Sequence, residues 1–128
     1  MRRYDPERPP DPRQWLELDE QERILLVEEH HRRVREKLPN VKLHAVIHAV
    51  VENQIAEGLE SVVRAMLRLT TAGLSRHEAL HAIGGVLAEQ MHAMINAQND
   101  ADEQSIRRVY DAALERLDID SWRSRSRK

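Results

Sequence analysis

The sequence predicts an all-α protein, a compact helical bundle of about four to five helices with short connections. Apolar residues recur at helical spacing, as in the stripe formed by Leu80, Ile83 and Leu87. Ser75 and Glu78 form a capping box, which is a typical signal for the start of a helix. No segment shows the apolar–polar alternation of a β-strand. Together these observations favour a bundle in which sequential helices pack against each other.

Prolines and turn residues divide the chain into its elements. Four prolines between Tyr4 and Pro12 exclude a regular helix there and predict an extended Pro-rich arm over residues 1–12. Pro12 can start a short helix with Asp11 as N-cap, at the beginning of a bundle domain expected over residues 13–118. Residues 119–128 are basic and are expected to form a flexible tail. The longer helices are expected over about residues 19–38, 41–57, 59–72, 75–97 and 102–117, with Pro39–Asn40 ending the first.

Composition excludes several classes of function. The chain has no Cys, which excludes disulfides, thiolate–zinc sites and Cys nucleophiles. Its net charge of −2 and its 3% aromatic content argue against nucleic-acid binding. It contains no apolar run of about 18 residues and no apolar segment typical of a signal peptide. We therefore expect a cytoplasmic protein with no membrane or nucleic-acid partner. Its arm and first long helix could dock on a second copy of the chain or on a partner protein.

Histidines form two pairs at a spacing typical of metal ligands. His44 and His48 are followed by Glu52 at the same interval of four, and His77 and His81 form a second pair. Residues four apart lie on one face of a helix, about 5–6 Å apart at Cβ, so two imidazoles can reach one ion. Short loops make sequential helices antiparallel, so the two helices with these pairs are expected to run parallel, with both pairs at the same end.

The sequence therefore predicts an interhelical transition-metal site with His44, His48, His77 and His81 as ligands. Glu52 is the auxiliary carboxylate, either as a ligand or as a partner that orients an imidazole. Nitrogen ligands without thiolates favour Zn, with Ni or Fe as alternatives. We interpret the remaining histidines, His30, His31 and His92, as surface or packing residues, and Glu89 as an outlying candidate. In the alternative interpretation, the protein is an interaction module that binds no metal. The paired histidines then form hydrogen bonds in the core or in a dimer interface, as a row of polar side chains that we call a polar seam.

Two enzyme interpretations also arise from the motifs, and the sequence leaves the question of an activity open. The segment "HEALH", from His77 to His81, matches the HExxH zinc motif, in which Glu78 would be the general base. However, Glu78 also serves the Ser75 capping box, and no strand is predicted that could hold a peptide substrate.

His48–Glu52 followed by His77–His81 resembles the central ligand motifs of hemerythrin. The closing HxxxxD motif of that bundle is absent, so we do not expect a di-iron oxygen carrier. An HExxH metal-dependent hydrolase and a mononuclear iron or nickel protein stay open as alternatives.

The histidine segments resemble those of a known protein family. "LHAVIHAVVENQ" followed by "GLSRHEALHAIG" is similar to an uncharacterised bacterial domain of unknown function, with an H-x3-H-x3-E-N-Q segment followed by R-H-E-x2-H. The resemblance extends from "DPRQWLELDEQERILLVEEHH" to about His92. It implies a small bacterial helical protein and implies no activity.

Overall fold

The computed structural model describes residues 3–33, 41–97 and 102–126, and these residues form seven helices and no strand. The predicted all-α bundle is confirmed, with more helices than the expected four to five because short helices flank the longer ones. In chain order the helices are α1 (Pro12–Glu17), α2 (Glu20–Arg33), α3 (Val41–Ala56), α4 (Glu60–Thr71), α5 (Arg76–Ala97), α6 (Glu103–Arg116) and α7 (Ile119–Ser126).

Local capping signals explain why the helices begin and end where they do. Ser75 and Glu78 form the predicted capping box: each backbone N–H donates to the side chain of the other, at 3.0 and 3.1 Å. Gly58 and Gly73, with φ of 77° and 119°, follow the ends of α3 and α4 in conformations that favour glycine. The expected end of the first long helix near residue 38 and the stop at Pro39–Asn40 lie outside the described residues.

Helix α3 is shared by two clusters of buried apolar residues. It contributes Val51 to the larger cluster, where α3, α4, α5 and α6 meet. It contributes Ala45 and Ala49 to the smaller cluster, which also contains Tyr4 and Trp15. The small alanine side chains let neighbouring elements approach α3 closely on that side. Consequently, α3 occupies the centre of the fold, and its polar side chains must find partners in the interior.

Three consecutive polar residues of α3 join it to different parts of the chain. Glu52 bonds to the N-terminal arm and to α5, as described below. Asn53 Oδ1 accepts hydrogen bonds from Trp15 Nε1 on α1 (2.8 Å) and Arg23 Nη1 on α2 (3.2 Å). Gln54 Oε1 accepts from the Tyr110 hydroxyl on α6 at 2.7 Å. This bond satisfies the partly buried amide of Gln54, which would be costly to leave unbonded.

The Pro-rich arm packs against the bundle. Tyr4 is 1% exposed and belongs to the smaller core cluster. The carbonyl oxygen of Tyr4 accepts from Arg33 Nη2 at 3.1 Å, and that of Pro6 accepts from Arg76 Nη1 at 2.9 Å. These arginine donors satisfy carbonyls of an arm that belongs to no helix or sheet. The arm is not extended throughout as predicted, because Arg8 N–H donates to the Asp5 carbonyl oxygen at 3.0 Å and closes a turn over residues 5–8.

The end of the described chain differs from the expected flexible tail, because residues 119–126 form helix α7. Asp118 and Ser121 cap its first turn reciprocally, with hydrogen bonds of 2.8 and 3.1 Å. Ile119 and Trp122 pack, partly buried, against the larger core cluster. The basic residues of the segment suggested a solvated tail, whereas its cap and these two apolar side chains stabilise a helix. Across the described residues, every helix is too short or too polar to cross a membrane.

Candidate metal centre

Four histidines from three helices converge at one point between α2, α3 and α5. His31 comes from α2, His44 and His48 from α3, and His81 from α5. Each offers one ring nitrogen, and these four nitrogens lie within 4.8 Å of one another. His31 and His48 are buried, and the other two are partly buried. We call these four residues the histidine cluster.

Spacing along the helices and a close helix approach position the cluster. His44 and His48 are one turn apart on the same face of α3. His31 follows the fully buried Val27 by four residues, which places it on the inward face of α2. On α5, a Cβ atom added to Gly84 would lie 3.1 Å from Ile47 Cγ2 on α3. The glycine therefore permits a close approach of α3 and α5, three residues after His81.

Hydrogen bonding defines the tautomer of His31. Its Nδ1 lies 2.9 Å from the carbonyl oxygen of Val27. A carbonyl oxygen only accepts, so Nδ1 carries the proton and donates. In the neutral ring, Nε2 is then the nitrogen with the lone pair, which is the form required of a metal ligand.

The tautomer of His48 follows from a longer chain of hydrogen bonds. The Tyr4 hydroxyl donates its proton to Glu52 Oε2. The same hydroxyl lies 2.7 Å from His48 Nε2, so it accepts the proton of that nitrogen. The lone pair of the neutral ring is therefore on Nδ1. This nitrogen is buried, and no group among the described residues forms a hydrogen bond with it.

Glu52 is held by an arginine. Arg76 Nη1 and Nη2 donate to the two carboxylate oxygens at 2.7 and 2.8 Å, and the side chains of Arg76 and Glu52 are 11% and 0% exposed. Burial alone would lower the pKa of Arg76, but hydrogen bonds and attraction to Glu52 outweigh burial and raise it. Burial and the Glu52 charge raise the pKa of Tyr4, which keeps its hydroxyl protonated. Glu52 thus acts on His48 through Tyr4 and does not itself belong to the histidine cluster.

His44 and His81 form a close nitrogen pair within the cluster. Their Nε2 atoms are 3.1 Å apart, so without a metal one ring donates to the other. At Zn–N distances of about 2.0–2.1 Å, two nitrogens of a tetrahedral site lie about 3.3 Å apart. The spacing of this pair is therefore close to that of two ligands on one ion.

Burial keeps cluster imidazoles neutral. Burial, followed by repulsion from neighbouring histidines, lowers the pKa of His81 to about 3. The same causes lower the pKa of His48 well below its usual value. Since a ligand nitrogen must be unprotonated, these surroundings favour the ligand form of both side chains at neutral pH.

The structure brings together three of the four histidines predicted as ligands, namely His44, His48 and His81. His77 lies beside the cluster, with its ring centroid 4.3 Å from that of His81 and 5.6 Å from that of His48. Neither ring nitrogen of His77 is among the four nitrogens that converge. His77 Nε2 is buried and has no hydrogen-bond partner among the described residues. His77 is therefore a neighbour of the candidate site, and its predicted role as a ligand stays a prediction.

Sequence reasoning missed His31, Tyr4 and Arg76. The charged run around His31 predicts a surface or packing residue. The side chain is 1% exposed and lies in the interior, and its place in the histidine cluster is what the sequence did not predict. Its spacing of four from Val27 was the signal that could have placed it in the interior. No signal of this kind marks Tyr4, which reaches His48 from an arm 44 residues earlier.

The remaining histidines differ from each other in position. The ring of His30 lies near those of Tyr4, His31 and His77, with centroid distances of 5.5 to 6.1 Å. His92 and Glu89 are exposed on α5. His92 therefore lies on the surface, which is one of the two positions expected for it.

The contacts between α3 and α5 do not follow a single direction. From His44 and His81, the next contact, between Ile47 and Gly84, lies three residues later on both helices. Glu52, two turns after His44 on α3, contacts Arg76, five residues before His81 on α5. The predicted parallel arrangement of these two helices therefore stays a prediction.

The HExxH zinc motif is not assembled in this structure. Glu78 is exposed and bonded to Ser75 in the capping box. His77 and His81, which would have to share one ion in that motif, do not both belong to the histidine cluster. The central motifs resembling hemerythrin would need Glu52 at the metal, but its carboxylate is bonded to Arg76 and Tyr4.

Comparison with known proteins adds no identification: no family model, curated protein or solved structure matches the chain. The resemblance to a bacterial domain of unknown function therefore stays a prediction. The function has to be argued from the histidine cluster itself.

Proposed function

We propose that this protein binds one transition-metal ion between α2, α3 and α5, with His31, His44, His48 and His81 as ligands. The observation that carries this proposal is the convergence of four ring nitrogens within 4.8 Å. A buried His48 Nδ1 with no hydrogen-bond partner among the described residues supports it. Buried polar atoms are normally satisfied, and a metal ion would satisfy this one.

The donor set favours Zn²⁺, with Ni and Fe as alternatives. Imidazole nitrogens suit these metals, whereas Mg²⁺ and Ca²⁺ prefer oxygen ligands. Small rotations of the four side chains would bring nitrogens now up to 4.8 Å apart to the separation of about 3.3 Å in a tetrahedral zinc site.

The hydrogen-bonded chain from Arg76 through Glu52 and Tyr4 supports the proposed site from outside. It orients His48 and keeps the proton on Nε2, as carboxylates commonly do for zinc-bound histidines. Because the chain includes the N-terminal arm, the ion would link the arm indirectly to α3 and α5. The metal would thereby stabilise the packing of four elements.

A second candidate function is an interaction module without metal, in which the cluster is a polar seam. One observation favours it: His44 and His81 can satisfy each other by the 3.1 Å hydrogen bond. The buried His48 Nδ1 is the feature that this alternative leaves unexplained.

A zinc competition titration against a chromogenic chelator tests the proposal. The informative comparison is between His31→Gln and His77→Gln, because His31 belongs to the cluster and His77 only borders it. We expect stoichiometric zinc binding by the wild type, loss of that binding in His31→Gln, and a reduction of about 10–100-fold at most in His77→Gln. His92→Gln, at an exposed position on α5, is the matched control and should bind as the wild type does.

Equal zinc affinity in the wild type and His31→Gln would contradict the proposed ligand set. Loss of binding in His77→Gln together with retention in His31→Gln would favour the ligands predicted from the sequence alone. No binding by the wild type would favour the polar seam.

A further inference from the structure

A small cavity opens beside the histidine cluster, between α3 and α5. Its volume is about 190 Å³, below the range typical of sites for drug-sized ligands. Its lining includes three cluster members, His44, His48 and His81, but not His31. Ile47 and Leu80 supply aliphatic walls. The cavity therefore reaches the proposed metal position from the side of α3 and α5.

Small residues on α5 create this space. Gly84, Gly85 and Ala88 also line the cavity. A Cβ added at Gly85 would meet nothing within 4 Å, in contrast to the close contact at Gly84. Gly85 is exposed, so the cavity opens to solvent beside the point where α3 and α5 touch.

The charge at the site limits what could bind there. Among the described residues that line the cavity, none is an Asp, Glu, Lys or Arg. Four neutral imidazoles would leave the positive charge of a divalent ion uncompensated by its ligands, and the nearby Glu52 carboxylate is already paired with Arg76. An ion in this position would attract an anion, and the surrounding low dielectric would strengthen that attraction. Zinc can also expand to five ligands.

We infer that the cavity is a binding site for a small monoanion that coordinates the metal through one donor atom. Any apolar remainder of that ligand would lie against Ile47 and Leu80. This inference rests on the proposed metal site and adds an open coordination position to it. It makes the site one that admits an external ligand, as opposed to a closed structural site.

Azide binding to the cobalt-substituted protein tests this inference. Co²⁺ occupies the same kind of site as Zn²⁺, and its visible absorption changes when a fifth ligand joins. The test variants, Gly85→Leu and Ala88→Leu, each add a side chain in the cavity and leave all four cluster histidines in place. Gly85→Ala is the matched control, since it also replaces the glycine but adds a single carbon where there is space.

We expect azide to change the cobalt spectrum of the wild type and of Gly85→Ala with similar affinity. In at least one leucine variant, the azide affinity should fall about tenfold or more, while cobalt binding is retained. Two outcomes would overturn the inference while leaving the metal site intact. The first is that azide does not change the cobalt spectrum of the wild type. The second is that each of the two leucine variants binds cobalt and also binds azide as tightly as the wild type does. Failure of the wild type to bind cobalt would overturn both the proposed function and this inference.

Discussion

At His48, the two ring nitrogens have different surroundings. Nε2 donates to the Tyr4 hydroxyl, which in turn donates to Glu52. Nδ1 is buried and has no hydrogen-bond partner among the described residues. A packing histidine in a helical core would gain from satisfying both nitrogens. The difference between the two nitrogens is therefore the feature of a single residue that points most directly to a ligand.

Tyr4→Phe tests whether the tyrosine positions His48. The change removes only the hydroxyl, which leaves His48 Nε2 and Glu52 Oε2 without this partner. We expect zinc affinity to fall about 10–100-fold, because the orienting hydrogen bond is lost. We also expect the free energy of unfolding without metal to fall by about 1–3 kcal/mol, because buried polar groups are left unsatisfied. Chelator competition and urea denaturation would measure the two effects. Reduced stability with unchanged zinc affinity would show that Tyr4 has only a structural role.

Acid should destabilise the metal-free protein through its cluster histidines. Folding lowers the pKa of His81 to about 3, whereas an unfolded histidine has a pKa of about 6.5. Between these values the unfolded chain binds a proton that the folded chain does not, so stability falls as the pH falls below about 6.5. We expect a nearly constant free energy of unfolding from pH 7 to 8, and a decline from pH 6.5 to 5. Urea denaturation at each pH measures this, and His81→Gln should show a shallower decline. Identical slopes in the two proteins would contradict the assignment.

Among the helices, α3 contributes residues to both core clusters, and its Glu52 forms an ion pair with Arg76 of α5. The Glu52–Arg76 pair is buried, with a fully buried carboxylate. Loss of one partner from a buried pair leaves an uncompensated charge, which commonly costs about 3–5 kcal/mol. We therefore expect Glu52→Gln and Arg76→Met each to lower the free energy of unfolding by that amount, as measured by urea denaturation.

The double variant Glu52→Gln/Arg76→Met supplies the control for this prediction. It removes both charges together, so its loss of stability should be clearly smaller than the sum of the two single losses. Additive losses would mean that the two side chains act independently, in contradiction to the bidentate contact.

The helices could be predicted from the sequence because their signals are local. The capping box of Ser75 and Glu78 and the glycines after α3 and α4 lie within a turn of the boundaries that they define. The assembly of the site could be predicted only in part. His44 and His48 share a face of α3 by spacing alone, whereas the choice between His31 and His77 depends on how α2 and α5 pack against α3. Tyr4 reaches the site from the arm, and helical periodicity carries no information about that contact.

For the whole molecule, metal binding and folding stability should be linked. An ion held between α2, α3 and α5 binds the folded chain in preference to the unfolded one, and so stabilises it. At a free zinc concentration of 100 times Kd, the gain is about 2.7 kcal/mol. We expect a clear rise in the Tm of the wild type on zinc addition, and little rise for His81→Ala. Differential scanning calorimetry with and without chelator measures both. If His81→Ala lowers the Tm by the same amount with zinc and with chelator, His81 is a packing residue and not a metal ligand.

We propose that the histidine cluster holds a metal ion, and the metal content of the purified protein decides whether it does. The measurement is elemental analysis by inductively coupled plasma mass spectrometry of tag-free protein purified without added metal. We predict about one equivalent of Zn, Ni or Fe per chain, and loss of that metal in His31→Gln. A wild-type protein that contains no metal, and takes none up on dialysis against these ions, would contradict the claim and leave the cluster as a polar seam in a helical core.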